Sequence, residues 1–163
     1  MPVPDHHVDR SEMLRAAGLR VTQPRLAVLE VLESRPHAGA DVVISAVRET
    51  LPVSTQAVYD VLNTLSAHGV VRRFQPAGSV SRYELRTGDN HHHVVCRSCG
   101  GVTDVDCATG EAPCLDPSEL GRHAPGFALD EAEVTYWGLC SNCQAPSDQH
   151  DSNRPHHLRR EDA

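Results

Sequence analysis

Lysine is absent from the 163 residues, and all 15 basic side chains are arginine, a bias from which no function follows. Other absences exclude more. No apolar run approaches the roughly 20 residues that a bilayer-spanning helix needs, so no membrane partner is expected. The segment from Met1 to Arg10 is polar, carries Asp5 and Asp9, and lacks the apolar stretch of a secretory leader, which points to the cytoplasm. No nucleophile motif, nucleotide-binding glycine loop or internal repeat is present. These gaps leave little support for an enzyme.

Positive charge is also scarce overall. The formal net charge is -7, which on its own disfavours contact with nucleic acid. The deficit is uneven, however: residues 1 to 89 carry ten arginines against ten acids, and residues 90 to 163 carry five against twelve. It therefore belongs to the second half. The length suits one ordinary domain or two small ones, and two are expected, at 1–86 and 87–144. Residues 145–163 are polar, contain His150, His156 and His157, and read as a disordered tail.

What is present is dominated by metal donors. In His91-His92-His93-Val94-Val95-Cys96-Arg97-Ser98-Cys99-Gly100 three histidines run into a Cys-x-x-Cys pair, and Cys140-Ser141-Asn142-Cys143 supplies a second pair far downstream. Cytoplasmic thiols stay reduced, so six cysteines argue for metal or redox chemistry rather than disulfides. Zinc accepts four sulfurs at tetrahedral corners, and a two-residue spacer lets both thiolates of a turn face one ion. Such a site would staple remote parts of one small domain. Two redox-active Cys-x-x-Cys motifs, or ordinary buried thiols, are the other readings of the same residues. Haem attachment is disfavoured because Gly100, not histidine, follows Cys99.

Apolar spacing predicts helices over Ser11 to Ala17, from Thr22-Gln23-Pro24 to about Glu33, from the cap at Asp41 to before Pro52, and from a Ser54 cap to Gly69. In the last, Val58, Val61, Leu62 and Leu65 fall on one face and leave Thr55, Gln56, Tyr59, Asp60 and Asn63 on the others. Val70 to Gln75, a Pro76-Ala77-Gly78-Ser79 turn and Val80 to Leu85 form a hairpin with Arg72, Arg73 and Arg82. The pattern is an α+β arrangement opening with a winged helix-turn-helix. Its polar helix would lie in the major groove, with Gln56 and Asn63 on base edges, and with Tyr59 and the arginines, including Arg20 and Arg25, on phosphates. A simply solvated helix face accounts for the same residues, and Asp60 would repel phosphate unless it met an amino group of cytosine or adenine.

After a polar hinge at Arg86 to Asn90, strands are expected at His91 to Val95 and Val102 to Val105, with a short helix at Asp116 to Gly121. A long strand from Phe127 to Leu139 could pair across a two-fold axis and make a dimer. On a strand, alternate residues share a face, so His91 and His93 can share an ion while His92 points away.

Ser54-Thr55-Gln56-Ala57-Val58-Tyr59 with Leu62 and Leu65, Arg82-Tyr83-Glu84-Leu85, the triple histidine and both Cys-x-x-Cys pairs together closely resemble the ferric uptake regulator family, in the family's order, from about Met13 to Gln144. Asp89-Asn90-His91-His92-His93, Asp104-Val105-Asp106-Cys107 and Ala132-Glu133-Val134-Thr135-Tyr136-Trp137-Gly138 look most like its actinobacterial branch, which controls catalase or catalase-peroxidase genes. The resemblance implies a homodimeric, metal-responsive repressor of operator DNA, with an amino-terminal winged helix and a small α/β dimerisation domain. It implies structural Zn2+ on Cys96, Cys99, Cys140 and Cys143, and regulatory Fe2+ or Mn2+ on His37, Glu84, His91, His93 and Asp104. The winged-helix reading gives Arg20, Arg25, Ser54, Thr55, Gln56, Tyr59, Asn63, Arg72 and Arg73 as candidate DNA contacts, and the resemblance adds control of oxidative-stress genes, including its own, as the expected role.

Two departures stand out. Asn90 and Ala132 replace histidines of a further metal site, so a second regulatory ion on His92 and Glu111 lacks ligands. Glu84 stands where peroxide-sensing members often have aspartate, a change that affects how readily bound iron oxidises its own histidines. Cys107 and Cys114 lack a Cys-x-x-Cys partner and are inert or redox-active. Three other functions use the same residues: a zinc-uptake regulator, a thiol redox switch through Cys96 and Cys99, and a metalloenzyme. The last would need Glu84 free as a base and an open coordination position.

Overall fold

The computed structural model describes residues 9–87, 91–106, 125–127 and 133–144. Four helices come first: α1 (Arg10–Ala16), α2 (Gln23–Ser34), α3 (Ala40–Thr50) and α4 (Thr55–Ala67). Their ends follow from local chemistry. Asp9 caps α1 by accepting from the Ser11 N–H, Pro24 sits in the first turn of α2, and Ser54 caps α4 by accepting from the Ala57 N–H at 3.1 Å. The start of α3 differs from the expected Asp41 cap. Gly39 is the cap residue, Asp41 lies in the first turn, and Ala38–Gly39 form a short strand, β1.

That strand enlarges the wing. β1 pairs antiparallel with β3 (Arg82–Glu84), which pairs antiparallel with β2 (Arg72–Phe74), so the wing is three-stranded in the order β1-β3-β2. Two residues with no alternation of their own give no strand signal, which is why the sequence shows only the hairpin. The pairing has a consequence for function. It fixes the residue just before β1, His37, beside the strand that carries Glu84.

Leu14, Val28, Leu29, Leu32, Val43, Val47, Val58, Leu62, Leu65, Val70, Val71 and Tyr83 form one contiguous buried cluster, so all four helices and the wing share a core. Leu62 is fully buried on the inner face of α4, opposite the polar residues of that helix. Truncation there leaves a cavity as well as lost transfer energy. Leu62→Ala is expected to lower the unfolding free energy by ~2–5 kcal/mol in urea denaturation.

The second sheet has the order β5-β4-β6, with β4 at His91–Cys96, β5 at Val102–Asp106 and β6 at Thr135–Gly138. β4 and β5 are antiparallel, whereas β6 runs parallel to β4 and pairs Val95 with Trp137. Among the described residues the last strand begins only at Thr135, shorter than the expected Phe127 to Leu139. The expected helix at 116–121, the tail at 145–163, and Asn90, Cys107, Glu111, Cys114 and Ala132 lie outside the described residues.

Candidate metal centres

Both Cys-x-x-Cys pairs converge. The four sulfurs of Cys96, Cys99, Cys140 and Cys143 lie within 4.8 Å of one another, none in a disulfide. Cys99 Sγ and Cys140 Sγ are 3.8 Å apart. Tetrahedral zinc with bonds of about 2.3 Å requires sulfur separations near ~3.8 Å, so the donors fit that ion. The first turn is closed by Gly100 N–H donating to Cys96 O at 2.9 Å, with Gly100 at φ +70, a conformation glycine adopts without strain. The second is closed by Cys143 N–H donating to Cys140 O at 2.9 Å.

The Cys140 N–H also donates to Cys96 Sγ at 3.3 Å. That bond, then the Cys99 and Ser98 backbone N–H groups, lower the Cys96 thiol to about 6 against the opposing effect of burial. For Cys143, a hydrogen bond with Ser98 lowers the thiol, but the neighbouring Cys140 and Cys99 sulfurs and burial outweigh it and raise it to about 11. Four clustered thiols cannot all ionise unaided. A bound cation resolves the conflict, because a coordinated thiol is deprotonated outright.

The second centre lies where the wing meets β4 and β5. Glu84 is 1% exposed, and its two oxygens touch three imidazoles. Oε1 is 3.1 Å from His91 Nε2, while Oε2 is 3.1 Å from His93 Nε2 and 3.0 Å from His37 Nε2. Asp104 Oδ1 lies 2.6, 3.6 and 3.9 Å from Nε2 of His37, His93 and His91. Of the five residues expected to act together, His37, Glu84, His93 and Asp104 offer donor atoms within 4.8 Å of one another, and His91 stands at the edge of that group, against Glu84 Oε1. His92 faces the other way, against the Tyr136 ring. Such N/O donors suit borderline divalent ions better than soft ones.

Burial alone would lower the His37 pKa, but its hydrogen bond to Glu84 and the charges of Asp104 and Glu84 outweigh that and raise it above 6.5. Burial likewise works to raise Glu84, yet the His37 and His93 hydrogen bonds and the imidazole charges bring it down to about 2. The two carboxylates beside His37 thus favour its protonated form. His37 also has φ +61, a left-handed conformation that is costly for a non-glycine residue and tends to persist at functional sites. This backbone signature is invisible in the sequence.

Three further side chains support the centre, and reading the sequence did not assign them to it. Arg86 pairs with Asp106 and lies 3.7 Å from Asp104 Oδ2, holding the carboxylate edge turned away from the histidines. Phe74 stacks on the His93 ring, with centroids 3.9 Å apart. Arg82 reaches from β3 to the His37 carbonyl at 3.4 Å and the Gly100 carbonyl at 3.3 Å. The candidate DNA-facing residues lie elsewhere. Thr55, Gln56, Tyr59 and Asn63 are exposed on α4 and Ser54 is exposed at its cap, Gln56 donating to Asp60 at 2.8 Å. Arg20 is exposed, and Arg25 donates to its carbonyl at 2.7 Å. Arg73 faces outward and donates to Ser81 Oγ, whereas Arg72 faces inward, 4.0 Å from Glu84 Oε1.

A winged helix joined to a sheet whose donors could hold a metal ion is the arrangement of a metal-responsive transcriptional regulator, and the relatives of this chain carry regulator names. The chain belongs to the ferric uptake regulator family, whose pattern it matches over residues 16–117. It is 58% identical over 149 residues to the Transcriptional regulator FurA of Mycobacterium tuberculosis, covering 91% of this chain and 96% of that protein. It is 31% identical over 144 residues to the Peroxide-responsive repressor PerR of Staphylococcus epidermidis, covering 86% and 92%. Its fold matches the iron-containing ferric uptake regulator of Francisella tularensis with a TM-score of 0.61 and 25% identity, covering 77% and 95%. Among the described residues no helix is long and apolar enough to cross a membrane.

Proposed function

We propose that this protein is a homodimeric cytoplasmic repressor that binds operator DNA when Fe2+ or Mn2+ occupies His37, Glu84, His91, His93 and Asp104, with Zn2+ on the four cysteines. One observation carries the reading: His37 and Glu84, from the winged helix and its wing, meet His93 and Asp104 of the second sheet around one volume, with His91 beside Glu84. A divalent ion there supplies the positive charge that lets two carboxylates and three neutral imidazoles stay together. The residues do the rest. Because His37 and Glu84 belong to residues 1–86 and the others to 87–144, holding all five favours one relative orientation of the two units. The favoured one would set both recognition helices of a dimer in successive major grooves, about 34 Å apart.

On the DNA side, Gln56 and Asn63 are assigned to base edges. Ser54, Thr55, Tyr59, Arg20, Arg25 and Arg73 are assigned to the backbone, whereas Arg72, expected there from the sequence, is turned toward Glu84. The resemblance to a peroxide-responsive repressor supports oxidative-stress genes as targets, catalase genes and its own among them. The iron-containing relative supports Fe2+ as the ion, with Mn2+ as its close substitute.

The test is a gel shift on DNA upstream of its own gene, with zinc-retaining protein stripped of other metal and then given Mn2+, anaerobic Fe2+ or buffered Zn2+. Mn2+ or Fe2+ is expected to restore binding. Equal binding by stripped protein would sink the reading, and restoration by buffered Zn2+ alone would make it a zinc regulator. The apparent metal affinity should also rise with pH through the elevated His37 pKa, since uptake must displace its proton. Stability of the metal-free fold should run the other way at that end. His37 contributes fully below 6.5 and loses its contribution as pH rises through the raised value, whereas Glu84 contributes above its ordinary 4.5 and loses this as pH falls through about 2.

A further inference from the structure

We propose that Phe74 is a positioning residue for the histidine centre: by stacking on His93 it fixes the plane of that imidazole and ties the first strand of the wing to the ligand set. This rests on the reading of His93 as a ligand. Metal-binding histidines ordinarily send their second ring nitrogen to an acceptor, which fixes the ring's orientation. His93 Nδ1 is fully buried and has no hydrogen-bond partner among the described residues. Aromatic contacts take that place. The Phe74 ring lies 3.9 Å from the imidazole at an interplanar angle of 4°, and the rings of His37 and His91 stand nearly perpendicular to His93 at 5.4 and 5.0 Å. Phe74 also meets the edge of His37 at 5.8 Å.

Among the described residues, the hydrophobic cluster of the winged helix does not account for the burial of Phe74. Phe74 is 4% exposed, yet it lies outside that contiguous cluster. Strand alternation shows how it connects site to wing. Arg72 and Phe74 face inward on β2, toward Glu84 and His93, while Arg73 between them faces outward at Ser81. Across the hairpin Phe74 pairs with Arg82, whose guanidinium contacts the backbone of both His37 and the zinc turn. A rotation of His93 would therefore press directly on the strand that presents Arg73.

The experiment uses full-length, zinc-containing protein and Mn2+ as probe. Phe74→Leu is expected to keep its zinc and weaken Mn2+ binding about tenfold or more, in the range seen when a ligand's supporting partner is removed. Phe74→Tyr, which retains the ring, should bind as the parent does. In a His93→Ala background Phe74→Leu should cost nothing further. Before any Mn2+ is added, the carbon-bound imidazole protons of His93 should be shifted upfield by the stacked ring and return to ordinary positions in Phe74→Leu. An equal loss in the His93→Ala background, a Tyr variant as weak as Leu, or no upfield shift in the parent would overturn the proposal. If the parent takes up no Mn2+ at all, the ligand reading fails instead, and the imidazole shift still decides the stack. Should the Leu variant lose its zinc or fold, the parent's shift and Phe74→Tyr carry the test.

Discussion

Cys140→Ser is expected to release zinc and unfold the second sheet while leaving the winged helix folded, so that one cooperative melt becomes two unequal ones. The asymmetry follows from where apolar burial lies. The contiguous hydrophobic cluster runs from Leu14 to Tyr83, entirely within the helices and wing. Beyond Glu84, the buried hydrophobic residues among those described are Val95 and Cys96. Two residues cannot offset the chain entropy of a three-stranded sheet, whereas a four-thiolate zinc site supplies an apparent ~10–16 kcal/mol of binding energy that exists only in the folded form. Cys140 also ties the second turn to the first. Its sulfur lies 3.8 Å from Cys99, and its N–H donates to Cys96. Serine keeps the shape but offers a poor ligand. Zinc analysis together with calorimetry checks this, and a variant that lost its zinc yet melted as the parent does would show that the staple is dispensable.

The sequence made some of this visible and could not make the rest so. The helix face of α4 was legible because an apolar stripe at helical spacing has one interpretation when its cap agrees, as Ser54 and its bond to Ala57 do, and α3 was legible from its stripe although its cap fell at Gly39 rather than Asp41. The thiolate pairs were legible because their chemistry is local to each turn. His91 and His93 could be placed on one face by alternation, and the rings do converge while His92 turns to Tyr136. His37 is different. Nothing in Pro36-His37-Ala38 distinguishes a ligand from a loop residue, and only the family resemblance singled it out. Its place depends on a two-residue strand pairing and a left-handed backbone, both properties of the tertiary fold. Phe74 and Arg86 were hidden for the same reason. Each looked like an ordinary wing or hinge residue until the chain brought His93 and Asp104 to it.

Glu84→Gln should abolish metal-dependent operator binding, with at least about a hundredfold loss of Mn2+ affinity, beyond what removing a merely supporting residue costs. The substitution is nearly isosteric, so its effect reports charge. Glu84 is the residue whose two oxygens contact the ring nitrogens of His37, His91 and His93, and it sits at the end of β3 in the wing. Removing its charge leaves Asp104, which lies 2.6 Å from His37 but farther from the other two rings. The metal-free fold should suffer less, because Asp104 still contacts His37 and the glutamine oxygen can still accept a hydrogen bond. A large fall in affinity with a small fall in melting temperature would thus separate function from stability at a buried position. Glu84→Asp supplies the control, since it keeps the charge and should keep metal-dependent binding. If glutamine bound Mn2+ as tightly as glutamate, the centre would not depend on Glu84, and the wing would have no charged link to the ion.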